Sequence, residues 1–368
     1  MVHNIPAHPT DMADLRLMSS RIGRNPALVQ GSGGNTSVKD GNVLWVKASG
    51  TWLADAAKQD IMVPIDLRAA QHMNETGNDD FINARLDGTL RPSIETSLHC
   101  QLNHKIVVHV HSVNAIASNV QEGAKKQLLN QLKGINWRYI PYAKPGVSLT
   151  AEVIRVLTEE PGSPSLLVLE NHGLVIGGET CAAVEALLTN VESKLQITER
   201  TTGNPNISQL ETAIENLEGW RLPAFPDIHG IALDTNAIKI ATGGVLIPDH
   251  AVFLGKNVPV CESPGNVKST LEQYQVTFGE HPNWMIIRDI GVILSEKIGA
   301  AGEDQLRGLA MIGLRIPYGT AIKFIGEHAA EDLRAWDAEK YRKKNERRTF
   351  QSNRSIIQRM SPFQRNKL

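Results

Sequence analysis

Cysteine is scarce in this chain: Cys100, Cys181 and Cys261 are the whole complement, far apart and without a CxxC spacing. An odd, scattered set in a chain this long argues against a disulfide-stapled secreted fold and favours a reduced, cytoplasmic compartment. An excess of charge is also missing. The formal net charge is −1, so nothing in the whole-molecule balance calls for nucleic acid or a membrane surface. No apolar run approaches the ~20 residues that span a bilayer. The first ten residues lack the basic start and apolar core of a signal peptide. Neither GxGxxG nor GxxxxGK[ST] occurs, which disfavours a nucleotide-binding fold, and no internal repeat is visible.

What remains is ordinary soluble composition, 41% apolar and 21% charged over 368 residues. That length suits one large domain and a smaller partner, each with a core of its own. Residues 10–30 read as an opening helix capped by Thr10 or Asp11. Asp40-Gly41 reads as a hairpin turn between strands at Thr36–Lys39 and Val43–Lys47. Further strands are expected at Ile61–Asp66, Ile106–His111, Tyr139–Tyr142 and Leu166–Leu169. The stretch 71–90 is polar and poorly periodic. Helices are expected from Ser93, as cap, through Cys100, from near Ser112 or Asn114, and over Cys181–Arg200. Turn-rich segments at 201–206 and 222–226 place a boundary near residue 225. Beyond it Ile238–Ile240, Val252–Leu254, Trp284–Arg288 and Val292–Leu294 read as strands of a smaller α/β domain. From Glu331 onward eleven Lys or Arg face five acidic residues, a basic tail read as a solvated helix end or, alternatively, as a site for an anionic partner.

The chemistry gathers in three places. His109 and His111, two apart in a strand, put both imidazoles on one face. His172, delivered to a strand end by Leu166–Leu169, is the best third ligand. Three neutral imidazoles leave coordination positions open, as in a catalytic rather than a structural zinc site. Glu95, in the first turn of the preceding helix, either complements the helix dipole or acts as a general base beside the metal. The loops Gly33-Gly-Asn35 and Ser49-Gly-Thr51 are either plain turns or backbone cradles for phosphate.

Together, Gly33-Gly-Asn-Thr-Ser37, Trp45-Val-Lys-Ala-Ser-Gly-Thr51, Arg91-Pro-Ser-Ile-Glu95, Val108-His-Val-His111 and Glu170-Asn-His-Gly173 resemble the class II aldolase/adducin family, in the same order and over roughly residues 10–200. Past 225 the resemblance is to longer members, including the aldolase portion of fused rhamnulose-phosphate aldolase/dehydrogenases. It rests there on Pro248-Asp-His250 and the Glu327–Lys340 stretch. The resemblance implies a three-layer α/β/α sandwich with a mainly antiparallel central sheet, followed by a smaller C-terminal α/β domain. It implies Zn2+ or another divalent metal on His109, His111 and His172. Glu95 takes the position of the catalytic acid/base, with Asn35, Ser49, Gly50 and Ser93 around the substrate phosphate, in a homotetramer or other homo-oligomer. One departure stands out: Ser93-Ile94 replaces the paired serines common in short sugar-phosphate aldolases, so the anion is held differently or the sugar carries none.

The division expected is residues 1–225 as metal-binding catalytic domain, 226–330 as accessory domain and 331–368 as basic tail. The expected function is retro-aldol cleavage of a ketose, or ketose 1-phosphate, through an enediolate. An epimerase or dehydratase using the same metal site, or a non-catalytic adducin-like scaffold, are the alternatives.

Overall fold

The structure, a computed structural model, describes residues 7–344. Helix α1 (Met12–Gly23) precedes a hairpin, β1 (Asn35–Asp40) and β2 (Val43–Lys47), followed by β3 (Met62–Asp66) and α2 (Leu67–Glu75). Next come α3 (Thr96–Gln101), β4 (Ile106–Val110), α4 (Val113–Asn119), α5 (Ala124–Gln131), β5 (Trp137–Ile140), α6 (Val147–Glu159), β6 (Leu166–Leu169), β7 (Gly173–Gly178) and α7 (Cys181–Leu195). The strands form one seven-stranded sheet in the order β3-β2-β1-β4-β7-β6-β5. Every pairing is antiparallel except β5 with β6.

Alternation along each strand sorts the sheet's side chains into two buried layers. Val38, Ile106, Val108, Val110, Val168 and Ile176 face α1, α5 and α7. On the other face Leu44, Val46 and Ile65 meet α2, and Val107, Leu167 and Val175 meet α3 and α6. This is the expected three-layer sandwich. His109 shares the parity of Val107, so its ring points to the side where Glu95 opens α3.

The second lobe comprises α8 (Ile207–Ile214), β8 (Trp220–Arg221), α9 (Thr235–Gly243), α10 (Pro248–Phe253), β9 (Val260–Cys261), α11 (Val267–Phe278), β10 (Trp284–Ile287), β11 (Gly291–Ser295), α12 (Gly299–Gly313) and α13 (Glu327–Ala335). Its four-stranded sheet runs β8-β11-β10-β9. Trp284, Ile286, Val292 and Leu294 face a core built from α9, α10, α12 and α13, while Met285, Ile287 and Ile293 face α8 and α11. The first core also takes in Val113, Ile116, Ala117 and Val120 of α4, so the two lobes share buried apolar surface.

Two expected strands are helices: Ile238–Ile240 lies in α9 and Val252–Leu254 in and just past α10. Apolar triplets are too short for their period to be read, and Asp234, whose side chain accepts from the Ala237 amide, starts α9 as an N-cap. The polar stretch 71–90 contains the end of α2, capped by Asp66. Strand β7 is not among the expected strands; only Leu174-Val175-Ile176 separates Gly173 from Gly177-Gly178.

Residues 337–344 are helical, and within them Glu339 and Arg342 are buried. A solvated end is therefore the wrong description of this part of the basic tail. Its remainder, residues 345–368, lies outside the described residues.

Candidate metal centre

Register brings the pieces together. Asn35 of β1 pairs directly with His109 of β4, and β7 on the other side of β4 sets Val110 against Leu174. The turn from β6 to β7 then swings His172 over the end of β4. That approach is close: a Cβ on Gly173 would lie 2.2 Å from the Val110 carbonyl oxygen, so no other residue fits there without moving a strand. Asn171 adopts φ +52°, a region Asn tolerates better than most residues. Its side-chain amide donates to the carbonyls of Leu246 and Lys323 of the second lobe, both at 2.8 Å.

The result is a buried group of three imidazoles, His109, His111 and His172, with ligand nitrogens all within 4.8 Å of one another. Nε2 of His109 and Nε2 of His111 are 3.0 Å apart. Zn–N bonds of about 2.1 Å around one ion require nitrogens at roughly this spacing. Nδ1 of His109 faces the Leu174 carbonyl at 2.9 Å, which fixes the ring with Nε2 free to act as a ligand. Glu95 joins the group, Oε2 being 3.4 Å from His109 Nε2 and Oε1 3.5 Å from His172 Nε2. Oε1 of Glu95 and Nδ1 of His172 are buried without hydrogen-bond partners among the described residues. Neutral donors converging on one point, beside an orphaned carboxylate oxygen, fit a divalent cation.

The electrostatics agree. Burial lowers His172 to about 4 and pulls His111 well below its ordinary value, so both rings are neutral ligands at pH 7. Burial would raise the Glu95 carboxyl, but His109, His172 and the Asn35 amide outweigh it and hold it at about 2. These shifts fix how the metal-free protein responds to acid. Between pH 6.5 and about 4 the unfolded chain binds a proton at residue 172 that the folded chain refuses, so stability rises with pH across this window. His111 acts in the same sense, and the Glu95 contribution is lost lower, as pH falls from 4.5 toward about 2. The melting temperature of chelator-treated protein is therefore expected to fall steadily from pH 7 to pH 4.5. A flat profile there would contradict buried neutral rings.

Asn35 does not stand free in the cleft. Its Nδ2 donates to Glu95 Oε2 at 2.7 Å and to Ser93 Oγ at 3.3 Å, leaving Oδ1 to accept from His99 Nε2–H. His99 Nδ1 must then accept, and Ser37 Oγ donates to it at 2.7 Å. His99 is a buried link that orients Asn35 and, through it, Glu95. Bridging of Ala48 to Pro92 and the bond from Ser49 N–H to the Arg91 carbonyl lay the Ser49-Gly50 turn beside Ser93. Asn35, Ser49, Gly50, Ser93, Glu95, His111 and His172 line one cleft.

Sequence reasoning missed four charged residues of this cleft: Lys47, Asp249, Glu339 and Arg342. Lys47 is buried at the end of β2 and donates to the carbonyls of Ser32 and Thr51. Its place inside the Trp45–Thr51 motif was the one available signal. Arg342 grips both oxygens of Asp249, at 2.6 and 2.8 Å, and donates to Ser32 Oγ at 2.9 Å. Glu339 lies 3.4 Å from the same guanidinium, and burial pushes its carboxyl up to about 7.

Residues 17–198 match the profile of the Class II Aldolase and Adducin N-terminal domain. The "Uncharacterized oxidoreductase YuxG" of Bacillus subtilis is 32% identical over 189 residues, 47% of this chain and 27% of that one. An "L-fuculose phosphate aldolase" of Methanococcus maripaludis is 25% identical over 161 residues, covering 41% and 76%. Among solved structures, the N-terminal class II aldolase domain of a conserved protein from Thermoplasma acidophilum superposes with a TM-score of 0.44 at 26% identity, over 53% of this chain and 97% of that one. The match thus spans about a quarter of the Bacillus relative, and about half of this chain lies outside each alignment. Residues 17–198, with the ordered motifs they carry, belong to the class II aldolase and adducin N-terminal domain family, within a chain larger than that domain.

Proposed function

We propose that this chain is a zinc-dependent class II aldolase that cleaves a ketose, with a ketose 1-phosphate as the substrate class. The observation that carries the reading is Glu95, set between His109 and His172 in a cleft that also presents Asn35, Ser49, Gly50 and Ser93. His109, His111 and His172 would hold the ion. A divalent ion supplies Lewis-acid stabilisation for the charge that builds on a ketose when its C3–C4 bond breaks, worth several kcal/mol. Glu95 moves the proton. Its Oε2 is tied to Asn35, so Oε1 is the oxygen that takes the C4 hydroxyl proton as the C3–C4 bond breaks and delivers it to C3 of the three-carbon fragment, and in the reverse direction takes it from that donor carbon and returns it to the C4 oxygen. The hydroxyls of Ser49 and Ser93 and the amide of Gly50 bind the phosphate end, and the sugar phosphate named for the Methanococcus relative supports that class. The lobe of the seven-stranded sheet would form the catalytic domain and the second lobe, which begins with α8, the accessory domain of a cytoplasmic homo-oligomer.

Elemental analysis of the purified protein is expected to find about one divalent ion per chain, and His109→Ala to lose both the ion and cleavage. NMR of products from a panel of ketose 1-phosphates should show an aldehyde and a three-carbon fragment. An epimer or a dehydrated sugar would keep the site and reassign the reaction, while a metal-free protein with intact His109→Ala activity ends the proposal.

A further inference from the structure

The Pro248-Asp-His250 stretch, unexplained by its position in the chain, lies behind a ring of the metal centre. Asp249 sits in the first turn of α10, in the second lobe, and its Oδ2 is 3.4 Å from Nδ1 of His111. That nitrogen is buried and has no hydrogen-bond partner among the described residues. It is the ring nitrogen opposite Nε2, which meets His109. Asp249 therefore stands behind the imidazole, outside the position an ion would take. The distance is a few tenths of an ångström longer than a formed N–H···O bond, while His109 already has its equivalent partner in the Leu174 carbonyl.

Resting on the metal site proposed above, we propose that Asp249 is a positioning residue for the metal centre, accepting from His111 Nδ1–H and so presenting Nε2 to the ion. The carboxylate is well prepared for this. Arg342 holds both its oxygens and Gln305 Nε2 donates to Oδ2 at 2.9 Å, so three donors fix its orientation. A charged acceptor behind a ligand imidazole fixes the tautomer and raises the basicity of the ligating nitrogen. A neutral carbonyl in the same place orients the ring but adds less charge, which makes His111 the strongest donor of the trio. The second lobe also anchors the third ligand, through the bonds from Asn171 to Leu246 and Lys323. Two of the three imidazoles thus take their setting from a lobe that contributes no metal ligand.

The test is zinc affinity of the full chain, read by competition with the chromogenic chelator 4-(2-pyridylazo)resorcinol, together with the visible spectrum of the Co2+-loaded protein. Asp249→Asn keeps the shape and removes the charge. It is expected to weaken zinc binding about 10- to 100-fold and to shift the Co2+ bands, with a lowered melting temperature of the metal-free protein because the buried Arg342 charge loses the carboxylate it grips. The double variant D249N/R342Q, with neither charge of the pair, is measured alongside and should bind zinc as weakly, with a metal-free melting temperature near wild type. Zinc affinity within twofold of wild type in a folded variant overturns the proposal. So does a loss that appears only with an equal collapse of metal-free melting temperature in both variants, which assigns Asp249 to the fold. Absence of stoichiometric metal from wild type is a different failure, and it sinks the metal site itself.

Discussion

Glutamine at position 95 is expected to cut turnover of the cleavable ketose phosphate by about 10²- to 10⁴-fold, the span typical for loss of a positioned general base. The swap is isosteric, and an amide oxygen facing Asn35 Nδ2 preserves the bond now made by Oε2. The three imidazoles are untouched, so bound metal should stay stoichiometric and the melting temperature close to wild type. What disappears is a basic oxygen held beside His172 and kept ionised to about pH 2. Single-turnover measurements separate this from weaker binding: the rate constant should collapse while the substrate concentration for half-saturation moves little. A rate within tenfold of wild type would show that another group carries the proton.

The second large effect concerns stability. Truncating Arg342 to alanine strands Asp249, a buried carboxylate that the guanidinium now holds on both oxygens and keeps well below the usual carboxylate range. Both side chains are almost wholly enclosed, so water cannot replace the lost partner. Removing one member of such a pair costs about 3–5 kcal/mol, measurable as a lowered urea midpoint. Arg342→Lys should recover only part of this, because an ammonium lacks the planar fork that meets two oxygens at once. Loss below about 1 kcal/mol, the worth of an exposed pair, would mean the cluster is open to solvent.

The sequence made legible what depends on local pattern. Alternation in Ile106–His111 put His109 and His111 on one side of a strand, and the run Leu166–Leu169 marked the strand that carries His172. Ser112, expected near the start of a helix, caps α4 by accepting from the Ala115 amide. Charged residues brought in by tertiary contact left no pattern that placed them in the site, although Asp249 and Glu339 lie within the stretches that carry the resemblance past residue 225. No local period puts Asp249, Glu339 or Arg342 at the metal centre, and Arg342 stands in a basic run whose composition reads as solvated. Their burial depends on one another: each charge is tolerable inside only because the others are there. His99 shows the same limit in smaller form, since its link to Asn35 requires β1 and α3 to be already in place. Short apolar triplets failed for a different reason, having too few residues to separate a period of 3.6 from one of 2.

Helix α4 follows directly on His111 and is clad on two sides, Ala115 belonging to the core under the large sheet and Val113, Ile116, Ala117 and Val120 to the core of the second lobe. Were either lobe to melt alone, the survivor would be left with a raw oily flank and a loosened strand end carrying two of its imidazoles. The two lobes are therefore expected to melt as one cooperative unit despite their separate sheets, and the three imidazoles sit on the seam between them.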